Sequence, residues 1–348
     1  MDRDELVFAR TRGVLNGRVS ISTLAHALDE QSKLLLICHA SPDGDALASL
    51  LVARRLLQRL GKDVVCFCPD REIPDELAAP LDLSPIVFEL PADLDERAVL
   101  ALDCPQSSNL GAAALPISER APLLLALDHH LASHTDFALA TCVVDASSTC
   151  ELLYELSLEF GLGLDRATAE ELYIGIVSDT GQFAYRSTTP GAHRAAAACL
   201  AAGVEPAAFA ARLTGFSLSS ARLLALVLER AELHAAGGLV ISELTAEDFV
   251  ACGAEGGISQ AKPLANELRR ISGSELYALI VDAPGGEQGR WVILRSFLPA
   301  EELNLQELLA GLHPYGQTAG AASYQCGDQP GETIAVILAD RLIRQRDR

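Results

Sequence analysis

The sequence predicts an α/β protein in two parts: a doubly wound, mainly parallel sheet with helices on both faces, then a smaller α/β domain. Three observations carry that expectation. Through about the first 190 residues, short apolar runs ending on a polar residue alternate with helical patterns, as strands buried on both faces do. At 348 residues the chain is too long for one ordinary core, so two are expected. Apolar residues make up 49% of it and aromatics 5%, so packing must rest on Leu, Ala, Val and Ile.

Residues 33–40 (KLLLICHA) are an apolar run ending in a polar turn, hence a strand, and 45–60 show helical spacing that stops at Gly61. Residues 63–68, 98–103, 123–128 and 142–145 repeat the strand signal. Ser148-Thr149-Cys150-Glu151 has the form of a capping box opening a helix through about Phe160, and 168–176 read as another helix. An alanine-rich helical stretch follows at 192–213. The pattern restarts with a helix at 223–233, a strand at 238–242, a helix at 260–270, a strand at 276–282, a Pro284-Gly285-Gly286 turn and a strand at 291–296. The expected organisation is a first domain at 1–190, a helical linker at 191–220 and a second domain at 221–348.

The formal net charge of -20 argues against a protein that grips long duplex nucleic acid, which needs a basic surface. A nucleic-acid substrate should be short. The nine cysteines are odd in number and show no C-x-x-C pair, so neither a disulfide framework nor a structural zinc site is suggested. Met1-Asp2-Arg3-Asp4-Glu5 is not a basic region leading into an apolar stretch, and no run of about 18 apolar residues follows. A cytoplasmic protein without membrane contact is expected.

The chemistry gathers at strand ends. The first strand closes on His39-Ala40-Ser41-Pro42-Asp43-Gly44-Asp45, Asp103 ends another, Asp128-His129-His130 ends a third, and Asp179 follows a helix. Ligands of open α/β sheets sit at that edge. Taken singly, an Asp after a strand is a helix N-cap and a His beside apolar residues is a hydrogen-bonded core residue. Capping requires neither paired histidines nor an H-x-x-x-D-x-D pattern, so together they read as a metal site. Carboxylate and imidazole donors without thiolate suit two divalent cations, Mn2+ first, with Mg2+ or Co2+ as substitutes. Such a pair activates water and clamps a phosphoryl group, so phosphoester hydrolysis is the expected reaction.

The stretches HASPDGDALAS (39–49), LALDC (100–104), LALDHH (125–130), VVDASSTCELLYEL (143–156) and ELYIGIVSDTGQFAYRST (171–188) resemble the DHH phosphoesterases. The resemblance is to their nano-RNase and 3′-phosphoadenosine 5′-phosphate phosphatase branch. WVILRS (291–296) and the Gly/Ala-rich 316–322 resemble the DHH-associated substrate domain more loosely. The resemblance implies that His39, Asp43 and Asp103 hold one ion, and that Asp45, Asp103, His129 and Asp179 hold the other, with Asp103 as bridge. It implies that His130 faces the substrate phosphate, that Asp128 orients its neighbours, and that Arg295, Ser296, Gly316 and Gln317 touch substrate. Two departures stand out: Gln317 aligns with a family histidine, and Asn109 stands where an Arg is often found.

The implied function is an oligoribonuclease that removes terminal nucleotides from very short single-stranded RNA, with 3′-phosphoadenosine 5′-phosphate as a further substrate. Cleavage of cyclic or linear dinucleotides of the di-AMP type is the alternative enzyme reading. A nucleotide-binding regulator without turnover is the alternative from another class, disfavoured by the complete ligand set. A homodimer is left open.

Overall fold

The computed structural model describes residues 19–71, 73, 81–130, 135–207, 217–234, 238–254, 258–282, 289–296, 298, 303, 305–308, 314–317, 321–326 and 330–346. The chain divides into two compact units, Met1–Gly215 and Phe216–Arg348. In the first, helix α1 (Ile21–Asp29), strand β1 (Lys33–Cys38), helix α2 (Gly44–Arg59) and strands β2 (Asp63–Phe67) and β3 (Ile86–Val87) come first. Strand β4 (Ala98–Leu102), helix α3 (Ala114–Arg120), strands β5 (Leu124–Asp128) and β6 (Leu139–Cys142), and helices α4 (Thr149–Glu159), α5 (Arg166–Asp179) and α6 (Pro190–Ala201) follow.

The six strands form one sheet in the order β3-β2-β1-β4-β5-β6 with every pairing parallel. Alternate strand residues serve opposite faces. Leu36, Leu100, Leu102, Leu125 and Leu127 pack with α2, α4 and α5, whereas Leu35, Ile37, Val99 and Ala126 pack with Leu110, Ile117 and Phe137. Strand order reverses between β1 and β4, and a crevice opens beyond the carboxyl ends of strands at such a switch point.

Two expected elements shift. The strand placed at 142–145 is Leu139–Cys142, because its register pairs Cys142 with Asp128, where β5 ends. Val143 then turns over the rim, its N–H donating to Asp128 O. The stretch 138–144 is apolar apart from Thr141 and runs on past Cys142 to Val144, so its pattern could not say where the ladder stops. The helix expected over 192–213 ends at Ala201, because Gly203 takes a positive φ of 101° and Val204 folds back into the core. Ala192, Ala195, Ala196 and Cys199 of α6 are part of that core.

The second unit contains helix α7 (Leu218–Glu229), strands β7 (Glu232–His234) and β8 (Leu239–Leu244), helices α8 (Ala246–Cys252) and α9 (Ile258–Glu267), and strands β9 (Leu276–Asp282) and β10 (Arg290–Ser296). Helix α10 (Leu305–Leu308), strands β11 (Pro314–Gln317) and β12 (Ala321–Gln325) and helix α11 (Gly331–Arg346) complete it. Its sheet runs β11-β12-β10-β9-β8-β7, parallel at β8–β9 and antiparallel at the other pairings. Helices α7, α8 and α9 cover one face and α10 and α11 the other. The expected turn at 284–286 lies outside the described residues. The nine cysteines are free, and among the described residues no helix is long and apolar enough to cross a membrane.

Candidate metal centre

Each strand end reaches the rim for a local reason. After β1, Ala40 N–H donates to Asn109 O at 2.8 Å and Ser41 takes a positive φ of 57°, which turns the chain sharply into α2. Asp43 caps that helix, accepting from Asp45 N and Ala46 N. It therefore does the ordinary job of an Asp in this position while standing at the site. Asp45, fully buried in the first turn, accepts from Thr149 N–H at 2.6 Å and Cys150 N–H at 3.1 Å. The N-terminus of α4 thus binds it as it would an anion.

Asp103 follows β4 with a positive φ of 56° and is 1% exposed. That conformation is uncommon for a residue with a Cβ and concentrates at functional sites. Asp179, at the end of α5, reaches the rim because two glycines let helices close in. A Cβ on Gly44 would lie 2.5 Å from Ser178 Oγ, and one on Gly175 would lie 2.8 Å from Asp45 Oδ1. No side chain fits at either position.

The outcome is three overlapping ligand groups: His39 with Asp43 and Asp103; Asp45 with His129 and Asp179; and Asp103 with His129 and His130. Within each, the candidate atoms lie within 4.8 Å of one another. The two oxygens of Asp103 face different imidazoles: Oδ2 lies 3.5 Å from His39 Nε2, and Oδ1 lies 3.4 Å from both His129 Nε2 and His130 Nδ1. His129 Nε2 is also 3.2 Å from Asp179 Oδ2. Asp128 stands one step back, its Oδ1 2.9 Å from His130 Nδ1.

Asp103 Oδ2 and His129 Nε2 are buried without a hydrogen-bond partner. Buried polar atoms are nearly always satisfied, so two orphans facing into one His/Asp cluster fit a centre meant for cations. The electrostatics agree. Burial, with the Asp179 and Asp103 charges behind it, pushes Asp45 well above the usual carboxylate range. Burial also lifts Asp179 to about 7, more than His129 can offset. Burial disfavours the Asp103 carboxylate too, yet His129, His39 and His130 hold it well below the usual range. The imidazoles respond in kind: burial opposes their charge, but Asp103 and its neighbours raise His39 to about 9 and His129 to about 12. Protons on these rings occupy the electrostatic place of positive ions.

In the second unit Arg295 is half-buried, its Nε donating to Asn266 Oδ1 at 3.2 Å and its Nη1 to Leu294 O at 2.9 Å. The Ser296 hydroxyl donates to Glu275 O at 3.1 Å and accepts from Leu298 N–H. Gly316 and Gln317 lie in β11 with their backbones opposite Ser323 and Ala322, and the side chain of Gln317 lies outside the described residues. Sequence reasoning missed Thr149, whose hydroxyl donates to Asp103 Oδ1 at 3.0 Å. The available signal was the capping box, which marks a helix start and says nothing of what that start touches. Only half of the box forms: Ser148 Oγ accepts from Glu151 N–H, but the Glu151 carboxylate accepts from Ser147 N–H instead of Ser148.

Comparison with known proteins adds to this geometry. The chain is 28% identical over 214 residues to the "Bifunctional oligoribonuclease and PAP phosphatase NrnA" of Thermus thermophilus, covering 62% of this chain and 64% of that protein. It is 27% identical over 222 residues to the protein of that name from Bacillus subtilis, 62% and 66% being covered. The chain thus spans under two thirds of the length of these relatives. Among solved structures, an exopolyphosphatase-related protein from Bacteroides fragilis superposes with a TM-score of 0.82 at 20% identity, covering 94% and 96% of the two chains. An exonuclease RecJ bound to manganese superposes with a TM-score of 0.51 at 16% identity, covering 95% of each. These two show the fold alone. The model of the DHH family, N-terminal domain, matches residues 33–176, which hold every candidate ligand of the cluster except Asp179. Over that stretch the chain is similar to the N-terminal domain of the DHH family.

Proposed function

We propose that this protein is a divalent-metal-dependent phosphoesterase of the cytoplasm that hydrolyses very short oligoribonucleotides and 3′-phosphoadenosine 5′-phosphate. One observation carries the reading: a buried aspartate, Asp103, belongs to two separate His/Asp groups and turns an oxygen to each. The names of the relatives supply the substrate class. Two divalent ions, held by His39, Asp43 and Asp103 and by Asp45, Asp103, His129 and Asp179, would activate water and clamp a phosphoryl group. Mixed carboxylate and imidazole donors favour Mn2+, with Mg2+ or Co2+ as alternatives.

His130 works from the edge of this site. Its ring is 42% exposed, and Asp128 holds Nδ1 at 2.9 Å, which fixes the ring and leaves Nε2 to face a leaving oxygen. Burial opposes its charge, but Asp128 and Asp103 raise its pKa above the ordinary value, so it can donate a proton. In the second unit Arg295 offers a planar guanidinium to a substrate phosphate, with Ser296, Gly316 and Gln317 as further contacts.

A substrate panel tests the reading. Ion-free protein reloaded with Mn2+ would be offered RNAs of about two to five residues, 3′-phosphoadenosine 5′-phosphate, linear and cyclic di-AMP, and polyphosphate. Turnover confined to the first two supports the proposal. Preference for the di-AMP substrates or polyphosphate would replace it, and binding without product would make the protein a regulator.

A further inference from the structure

We propose that Thr149 is the positioning residue that decides how the two oxygens of Asp103 are shared between the ligand groups. The inference rests on the reading of Asp103 as a shared ligand. Thr149 holds two carboxylates at once: its backbone N–H donates to Asp45 Oδ2 at 2.6 Å, and its hydroxyl to Asp103 Oδ1 at 3.0 Å. The three residues are 0–1% exposed, so no water competes for these bonds. They lie 104 and 46 positions apart in sequence, so only the fold unites them.

The terminal torsion of an aspartate is broad and roughly two-fold, so rotation alone would exchange its oxygens. A hydroxyl bonded to Oδ1 removes that freedom. It leaves Oδ1 on the side of His129 and Oδ2, which has no hydrogen bond, toward His39. Thr149 is itself fixed from outside the ligand set. It is the first residue of α4, Ser148 caps that helix, and Glu151 Oε2 ties Ser147 N–H to Thr189 Oγ1 at the start of α6. Helix formation does not need the Thr149 hydroxyl, because Ser148 already supplies the cap.

Thr149→Val removes the hydroxyl and retains the side-chain shape and the backbone N–H that holds Asp45. The measurements are Mn2+ stoichiometry and affinity by calorimetry, kcat and KM on a dinucleotide, and thermal melting without metal. Loss of an outer-shell partner typically weakens metal binding or activity by about 10- to 100-fold. We expect at least about a tenfold loss of affinity for one Mn2+ and a matching fall in kcat, with KM nearly unchanged. Thr149→Ser, which restores the hydroxyl, should return both to within about threefold of wild type. Should the valine variant unfold, Thr149→Ala takes its place in the same comparison with the serine variant. If the hydroxyl-free variant keeps wild-type metal affinity and kcat, or serine does no better than it, Thr149 has no positioning role. A wild type that takes up fewer than two ions would instead overturn the shared-ligand reading and this inference with it.

Discussion

The two sheets place acidic side chains in opposite company. In the second unit four carboxylates at or near the sheet face arginines: Asp248 faces Arg230, Glu243 and Asp282 share Arg290, and Glu275 faces Arg346. Arg230, helped by the Thr245 N–H and hydroxyl, holds Asp248 down to about 2. At the rim of the first sheet Asp45 and Asp179 are raised instead, and Asp103, which burial would also raise, is held low by three histidines. A structure that gathers carboxylates where they repel one another stores unfavourable energy that bound cations would relieve. Carboxylates paired with arginine are architecture.

The largest expected effect breaks the comparison at its centre. Asp103→Asn should abolish turnover and leave the fold intact, because one neutral amide cannot serve two cationic groups. Retention of more than about a tenth of wild-type kcat with two Mn2+ bound would end the bridging assignment.

Next, the same substitution should act with opposite sign in the two places. Asp43→Asn keeps an equally good N-cap and removes a charge that faces Asp103, so melting of the ion-free protein should not fall. Its stabilisation by Mn2+ should shrink. Asp248→Asn loses the Arg230 pair and half of a capping box. The pair is partly exposed, so the loss should be about 1 kcal/mol, mostly from the cap. If both variants shift melting in the same direction, the contrast fails.

The pH dependences should also oppose each other. His39 is raised from 6.5 to about 9 on folding, so its proton stabilises the ion-free protein fully below about 6.5, and that contribution is lost as pH rises through about 9. Asp248, lowered from 3.8 to about 2, contributes above 3.8 and loses that contribution as pH falls through about 2. Mn2+ must displace the His39 proton, so its affinity should climb across the window between those two His39 values. A flat Kd there would remove His39 from the ligands.

The smallest effect concerns substrate. Gln317 can donate a hydrogen bond but cannot become cationic, whereas the family resemblance places histidine there. Gln317→His should lower KM for a 5′-phosphorylated dinucleotide more at about pH 6 than at about pH 8, with little change for the unphosphorylated one. An equal effect on both substrates would show that residue 317 does not face the phosphate.

Much of this was legible in the sequence, because strands buried on both faces write continuous apolar runs and the residues that carry chemistry follow directly where those runs stop. His39, Asp103 and His129 were therefore identifiable as strand-end residues without a structure. Strands β3, β7, β11 and β12 were not: β3 and β7 are only two and three residues long, and β11 (PYGQ) and β12 (AASYQ) mix small and polar residues without the continuous apolar run that marks β1, β4 and β5. Nor was the break after α6, where one glycine at positive φ outweighs an alanine-rich helical pattern. Only the tertiary structure decided the order β3-β2-β1-β4-β5-β6, which sets the ends of β1 and β4 side by side. It alone brought the amide and hydroxyl of Thr149 to Asp45 and Asp103. Sequence patterns record which face of an element is buried, but the partner across a contact is chosen by packing between segments a hundred residues apart.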